Sequence, residues 1–239
     1  MLACPLTLAS KHLEKTGGGV LWEDYDVDLV CNFRRLKHAK DSGTDAFIHD
    51  FYNMLREKIK LVEPNAFHYF IRDVLVSGIW DVHIITTNLD DLFERANVPK
   101  ERVHHLHGSI DKYRCRRCQQ ILQVGQTCSK HCSLVATDAV FYGEISPYYS
   151  KGKRAFSRLC KGDMIMMVGF SGETFGEAMT YWAKCRLRGV ETIHVNPSPQ
   201  SHHLYPSDHH MCCRIQQALP RLQDFSRPDT FSIIKGRLQ

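Results

Sequence analysis

Two closely spaced pairs of cysteines are the clearest chemical feature of the sequence. Cys115 and Cys118 are separated by two residues, Cys128 and Cys132 by three, and nine residues lie between the pairs. Paired cysteines on tight turns direct four thiolates at one ion, which is the tetrahedral arrangement that zinc prefers. The spacing therefore predicts a closed, structural zinc site at these four cysteines, with His131 as an alternative ligand.

Polar or glycine-containing turns follow three short apolar segments that are typical of buried strands. The segments are Val82–Thr87, Asp163–Val168 and Thr192–Val195. The turn residues that could reach a ligand are Asn88, Asp90, Gly169, Ser171 and Asn196. In a parallel sheet, ligands bind in the crevice at the carboxyl ends of the strands. We therefore expect these turns to converge on one cleft.

The elements that would position these residues belong to the α/β class. A helical stretch, Phe175–Arg188, separates the second strand from the third, and this alternation predicts a Rossmann-like parallel sheet with crossover helices. Helical spacing over Asp45–Leu61 and from Pro64 to Gly78 predicts a helical module within residues 24–77. We expect one domain over residues 1–239, into which a zinc ribbon at 112–135 is inserted.

Composition excludes several classes of protein. The 239 residues are 43% hydrophobic and 24% charged, with a net charge of +5, which argues against a disordered or fibrous chain. No apolar run approaches the roughly 20 residues of a membrane span, so we predict no membrane association. The cysteines outside the cluster show no paired framework, and we therefore expect an intracellular, reducing compartment.

A series of short motifs resembles the sirtuins, the family of NAD-dependent protein deacylases. In chain order they are Gly19–Trp22 (GVLW), Pro64–His68 (PNAFH), Thr86–Asp90 (TTNLD), Leu106–Ser109 (LHGS), the two cysteine pairs, Val140–Glu144 (VFYGE), Gly169–Ser171 (GFS) and Val195-Asn196. Each motif is short, but their common order along roughly residues 17–222 makes a chance match improbable.

The resemblance implies that NAD accepts an acyl group from a protein lysine and releases nicotinamide. By position, His107 would be the base that acts on the ribose hydroxyls, a role that suits an imidazole with an ordinary pKa of about 6.5. The resemblance assigns the contacts with NAD to Asn88, Asp90, Gly169, Ser171 and Asn196. Phe141–Glu144 would form one side of the groove that takes an acyl-lysine peptide as an added strand.

Purely structural alternatives exist for the same residues. His107 could be a core histidine, and His104 and His105 compete with it for the catalytic role. Asn88 and Asp90 could cap the helix that follows them.

The start of the sequence departs from the family. Ala3–Thr7 occupies the place of the family's glycine-rich phosphate loop, and Lys11–Thr16 that of a segment with a cofactor-positioning arginine. Thr87 and Phe170 replace a glutamine and a threonine, which would put a bulky ring where a phosphate approaches. Two hypotheses follow: an NAD-dependent deacylase, or a catalytically inactive sirtuin-like subunit with protein partners in a larger assembly. A third is nucleic-acid binding through Arg114, Arg116 and Arg117 beside the ribbon.

Overall fold

A computed structural model describes residues 30–34, 45–131, 135–170 and 177–225 of the chain. The helices of this part are α1 (Asp45–Lys60), α2 (Ala66–Val76), α3 (Leu92–Arg95), α4 (Tyr149–Arg158), α5 (Ala178–Leu187), α6 (Pro199–Leu204) and α7 (Ile215–Phe225), with a 3-10 turn at Lys100–Arg102. The strands are β1 (Ile84–Thr86), β2 (Val103–His105), β3 (Gly108–Cys115), β4 (Ile121–Gln123), β5 (Val135–Ala139), β6 (Met164–Val168), β7 (Glu191–Val195) and β8 (His209–Met211).

Parallel pairing joins β1 to β2, and β6 to β7 to β8. Apolar clusters cover both faces of these strands. Ile84 lies in one cluster with α2 and α7, whereas the next residue, Ile85, lies in the other with α5. Parallel strands that are buried on both faces read as continuous apolar runs, which is why the sequence pattern was informative. The predicted α/β class is confirmed.

The ribbon is an antiparallel sheet in the order β4-β3-β5. It extends from Gly108 to Ala139 and is therefore longer than the predicted 112–135 segment. Gly108 (φ +85°) begins it, and a Cβ at this position would lie only 1.9 Å from the carbonyl oxygen of Asp138. Glycine is therefore required where β3 crosses the end of β5.

The two helices of the predicted 24–77 module pack on different parts of the molecule. Helix α1 packs through Ile48 and Leu55 on Ile110 and Phe141 at the base of the ribbon. Phe67 and Ile71 of α2 pack instead on the parallel strands. In the described ranges no helix combines the length and the hydropathy that a bilayer span requires.

We expect Asn65→Ala to lower the free energy of unfolding by about 1 kcal/mol. The Asn65 side chain accepts hydrogen bonds from the backbone N–H groups of Phe67 (2.9 Å) and His68 (3.3 Å), and the Nδ1 atom of His68 accepts the backbone N–H of Asn65. Alanine would leave the first turn of α2 uncapped. Urea denaturation measures the loss; Asn65→Asp, which keeps the accepting oxygen, should stay within about 0.5 kcal/mol of the parent.

Candidate functional site

His107 lies between β2 and β3, beside the turn that follows β1. Backbone hydrogen bonds on both sides of it fix this position: the N–H of Leu106 donates to the carbonyl of Thr86 (2.8 Å), and that of Ile110 to the carbonyl of Leu89 (2.9 Å). The structure therefore brings the LHGS and TTNLD segments together. The residues after β1 and β2 therefore lie side by side, as expected at the carboxyl ends of neighbouring parallel strands. Their convergence with the turns after β6 and β7 stays a prediction.

The ring of His107 is half-buried and contacts a tyrosine that the sequence analysis did not identify. The hydroxyl of Tyr149 is 3.4 Å from Nε2 of His107. Burial raises the pKa of Tyr149, and the charge of Glu177 raises it further, so the hydroxyl keeps its proton and can donate to Nε2. The main chain of His107 is held independently, because its carbonyl accepts the N–H of Val140 (2.9 Å). No local pattern in the sequence links position 149 to position 107.

The two competing histidines have other partners. His104 stacks on His83, with ring centroids 5.5 Å apart and facing nitrogens 3.3 Å apart. His105 lies between the carbonyl of Asn88 and the carboxylate of Glu94. Among the three histidines, His107 is therefore the one that contacts Tyr149 and Val140.

Asn88 and Asp90 are both buried in the turn after β1. The backbone N–H of Asn88 donates to the hydroxyl of Thr86 (3.0 Å), but its side-chain Oδ1 is buried with no hydrogen-bond partner among the described residues. Asp90 accepts the N–H of Leu92 (3.2 Å) at the start of α3, which is the capping contact considered as an alternative. Burial raises the pKa of Asp90 to about 6 despite that bond. An unpaired buried amide oxygen is costly unless a ligand or water completes it.

The turns after β6 and β7 are tied to each other. Gly169 (φ +58°) donates its N–H to the carbonyl of Val195 (2.8 Å). The side chain of Asn196 donates to the carbonyl of Phe170 (3.1 Å) and accepts the N–H of Ser198 (2.9 Å). Asn196 therefore holds the two turns in register. Ser171 lies outside the described residues, and its predicted contact stays a prediction.

The ring of Phe170 does not line the cleft. It is 1% exposed and packs within the apolar cluster that contains Trp182 and Tyr205, at a ring-centroid distance of 5.8 Å from Tyr205. The expectation that this ring occupies the approach of a phosphate is wrong. The hydrophobic effect favours a phenyl ring buried in the core over one exposed in a polar crevice.

A cluster of sulfur and nitrogen atoms that could hold a metal ion lies in the ribbon. The ligand atoms of Cys115, Cys118, Cys128 and His131 are all within 4.8 Å of one another. The sulfurs of Cys118 and Cys128 are 3.7 Å apart, and Nδ1 of His131 is 3.8 Å from the sulfurs of Cys115 and Cys128. A tetrahedron with zinc–sulfur bonds of about 2.3 Å has edges of about 3.8 Å, so the arrangement is compatible with zinc. Cys132, the predicted fourth ligand, lies outside the described residues.

Two of the three arginines beside the ribbon are buried in ion pairs. Arg114 contacts Asp138 (2.7 Å) and Glu144 (2.8 Å), and Arg116 contacts Glu144 (2.8 Å). Their side chains are 1% and 5% exposed, so neither can face a phosphate backbone. Of the three, Arg117 alone is exposed. The nucleic-acid hypothesis was wrong about Arg114 and Arg116, because their charges are compensated inside the protein.

The predicted peptide groove begins with a segment whose backbone is already paired. Tyr142 exchanges hydrogen bonds with Cys31 (2.6 Å) and Phe33 (3.0 Å). The N–H of Phe141 donates to the side-chain carboxylate of Glu144 (3.1 Å). The backbone N–H of Glu144 in turn donates to the carbonyl of Phe141 (2.9 Å). A strand added at this edge would therefore pair at the exposed Gly143 or displace Glu144.

Comparison with known proteins agrees with this geometry. The protein-family model described as "SIR2: Sir2 family" matches residues 18–175 of this chain. The chain is 32% identical over 179 residues to the NAD-dependent protein deacylase of Helicobacter hepaticus (strain ATCC 51449 / 3B1); the match covers 64% of this chain and 66% of that relative, just under two thirds of its length.

A second relative is matched over more of its length. The NAD-dependent protein deacylase of Shewanella oneidensis (strain MR-1) is 27% identical over 229 residues, with 91% of this chain and 86% of the relative covered. Among solved structures, a Sir2 homolog–NAD complex superposes with a TM-score of 0.75 at 24% identity, over 97% of this chain and 89% of that one. At this identity the likeness shows the fold, which is the predicted Rossmann-like sheet with an inserted ribbon.

Proposed function

The chain belongs to the Sir2 family, and from this premise we propose that it binds NAD and removes acyl groups from lysine side chains of proteins. The buried Oδ1 of Asn88, which has no hydrogen-bond partner among the residues that the structure describes, supports the proposal most directly. Such an atom requires a ligand or water, and a nicotinamide carboxamide could donate to it. The carboxyl of Asp90, in the same turn, has a pKa raised by burial to about 6, which is typical of functional sites.

When bound, NAD would supply an electrophilic ribose carbon for the acyl oxygen, with nicotinamide as the leaving group. His107 would remove a ribose hydroxyl proton with Nε2, after the Tyr149 hydroxyl that contacts this atom has moved aside or been replaced by substrate. Asn88 and Asp90 would hold the nicotinamide and the ribose attached to it. The phosphate and adenosine end of NAD would be held by Gly169, Ser171 and Asn196. The side chain of Asn196 also donates a hydrogen bond to the carbonyl of Phe170.

The proposed substrate is an acyl-lysine of a protein or peptide. The relative from Helicobacter hepaticus carries the name protein deacylase. Beside Gly143 the chain exposes Tyr142 (50%) and Ile145 (90%), and exposed apolar residues next to a candidate site favour a peptide ligand.

We also propose that the ribbon cluster binds zinc in a structural role. Cys115, Cys118 and Cys128 would supply three ligands, and Cys132 or His131 the fourth. Four protein ligands leave no open position for substrate, so the ion would stabilise the ribbon without entering the reaction.

A non-catalytic interaction subunit is the second candidate. It is favoured by one specific observation, the replacement of the glycine-rich loop by Ala3–Thr7, where Pro5 lacks a backbone donor. These residues, and Lys11–Thr16, lie outside those that the structure describes.

NAD titration by calorimetry separates the two candidates. We expect a micromolar Kd for the parent chain and a Kd at least tenfold higher for Asn88→Ala, because the substitution removes the amide that would pair with the ligand. Asn53→Ala, at an exposed amide on α1, is the matched control and should leave the Kd unchanged. Absence of binding at millimolar NAD would reject the enzyme and leave the interaction subunit.

A further inference from the structure

His105 makes two hydrogen bonds that together define its charge. Nδ1 is 3.1 Å from the carbonyl oxygen of Asn88, and Nε2 is 2.9 Å from Oε1 of Glu94. A carbonyl and a carboxylate can only accept, so both ring nitrogens must carry a hydrogen. The ring is therefore an imidazolium, paired with Glu94 where both side chains are only 17% exposed.

The surrounding electrostatics agree with that assignment. Burial lowers the pKa of His105, but the hydrogen bond to Glu94 and its charge, with the Asn88 carbonyl and Asp90, raise it above the ordinary 6.5 overall. Burial raises the pKa of Glu94, but the hydrogen bond and charge of His105, a backbone hydrogen bond and Lys100 together bring it below the ordinary value. The other titratable groups that face this pair are His104 on β2, Asp91 beside Asp90, and Lys100 in the 3-10 turn.

The contact with Asn88 places this charge next to the turn that would bind NAD. The N–H of Asn88 is held by the Thr86 hydroxyl and its C=O by His105, so both backbone groups are fixed. The side-chain amide is the part of Asn88 left available to a ligand, since Oδ1 has no partner within the described ranges. His105 therefore helps to fix the backbone from which that amide projects.

We propose that His105, as an imidazolium paired with Glu94, is a positioning residue that holds the Asn88–Asp90 turn in its NAD-binding conformation. This inference rests on the proposed function, in which Asn88 and Asp90 contact NAD. Below the raised pKa the clamp is complete. As the pH rises through that pKa the proton on Nδ1 or Nε2 is lost, one of the two bonds breaks, and NAD affinity falls.

Calorimetric NAD titrations from pH 6 to pH 9 test the clamp in the full chain. The parent should bind NAD more weakly as the pH rises through the pKa of His105. Glu94→Gln, which removes the counter-charge, should shift this loss to lower pH. His105→Gln should bind about tenfold more weakly at pH 6.5, the effect of losing one charge-assisted hydrogen bond, and should lack that pH dependence. The control is His83→Gln, because His83 contacts His104 and Arg102 and not the Asn88 turn. This variant should bind NAD with the affinity and pH dependence of the parent.

A second readout needs no ligand. Ring-nitrogen NMR should show His105 titrating above 6.5 in the parent and at lower pH in Glu94→Gln, while circular dichroism verifies that each variant is folded. A His105 that titrates below 6.5 overturns the inference, as does a His105→Gln protein that binds NAD with the affinity and pH profile of the parent. Failure of the parent itself to bind NAD at any pH overturns the proposed function, and the inference with it.

Discussion

Replacing His107 with alanine is expected to lower acyl-lysine turnover by a factor of about 10²–10⁴, the contribution of a positioned general base. NAD affinity should stay within about twofold of the parent. The reason is structural: the backbone of His107 and its neighbours is held by Val140, Thr86 and Leu89, so that removal of the ring leaves the turn after β1 in place. The substitution removes the imidazole ring and, with it, the proton-accepting Nε2 atom.

Turnover of an acyl-lysine peptide and calorimetric NAD binding, measured on the same preparations, check this result. His104→Ala is the matched control, because His104 lies on the adjacent strand and stacks on His83. It should retain nearly full turnover. If His107→Ala and His104→Ala lose activity equally, or if neither loses any, His107 is not the base.

Tyr149→Phe adds a finer test of the same site. The substitution removes the hydroxyl that is 3.4 Å from Nε2 while it keeps the ring. We expect a shift of the pH profile of kcat and a change in rate of no more than about tenfold, because a neutral hydrogen bond to the base is worth about 1 kcal/mol.

The sequence revealed those features of the fold whose signals are local. The run at Ile84–Thr86 is apolar and β-branched because parallel strands are buried on both faces. The cysteine spacing predicted the cluster because two close pairs on tight turns bring their sulfurs together. The order of the motifs then placed Asn88 and His107 at neighbouring strand ends.

The features that the sequence did not reveal depend on distant partners. The basic character of Arg114 and Arg116 indicated an exposed surface, but Asp138 and Glu144, 24 and 28 residues away from them, neutralise both. The position of the Phe170 ring was predicted from its motif, but packing against Tyr205 and Trp182 decides where the ring lies. Burial and pairing are properties of the assembled fold, and a motif read one residue at a time carries neither.

Removal of the zinc proposed for the ribbon is expected to have the largest effect on stability. Among the described residues, the buried members of the ribbon's apolar cluster are Cys115, Leu122 and Cys128, and two of these belong to the proposed zinc site. So small a core cannot stabilise three strands without a staple, and structural zinc supplies about 10–16 kcal/mol in small zinc modules. The same strands carry Arg114 and Arg116, which pair with Glu144, so melting of the ribbon should also disorder the candidate peptide segment.

The purified chain should contain one zinc per molecule, and chelation should lower the Tm by at least about 10 °C while it abolishes turnover. Cys128→Ser should reproduce both losses, whereas Cys160→Ser, at an exposed thiol outside the cluster, should change neither. Comparison of Cys132→Ser with His131→Ala identifies the fourth ligand, because only the variant that loses a ligand should lose zinc. A chain that holds no zinc, or that melts at the same temperature after chelation, would show that hydrogen bonds and packing alone support the ribbon, and a thiol cluster with such tetrahedral spacing would then need another cause.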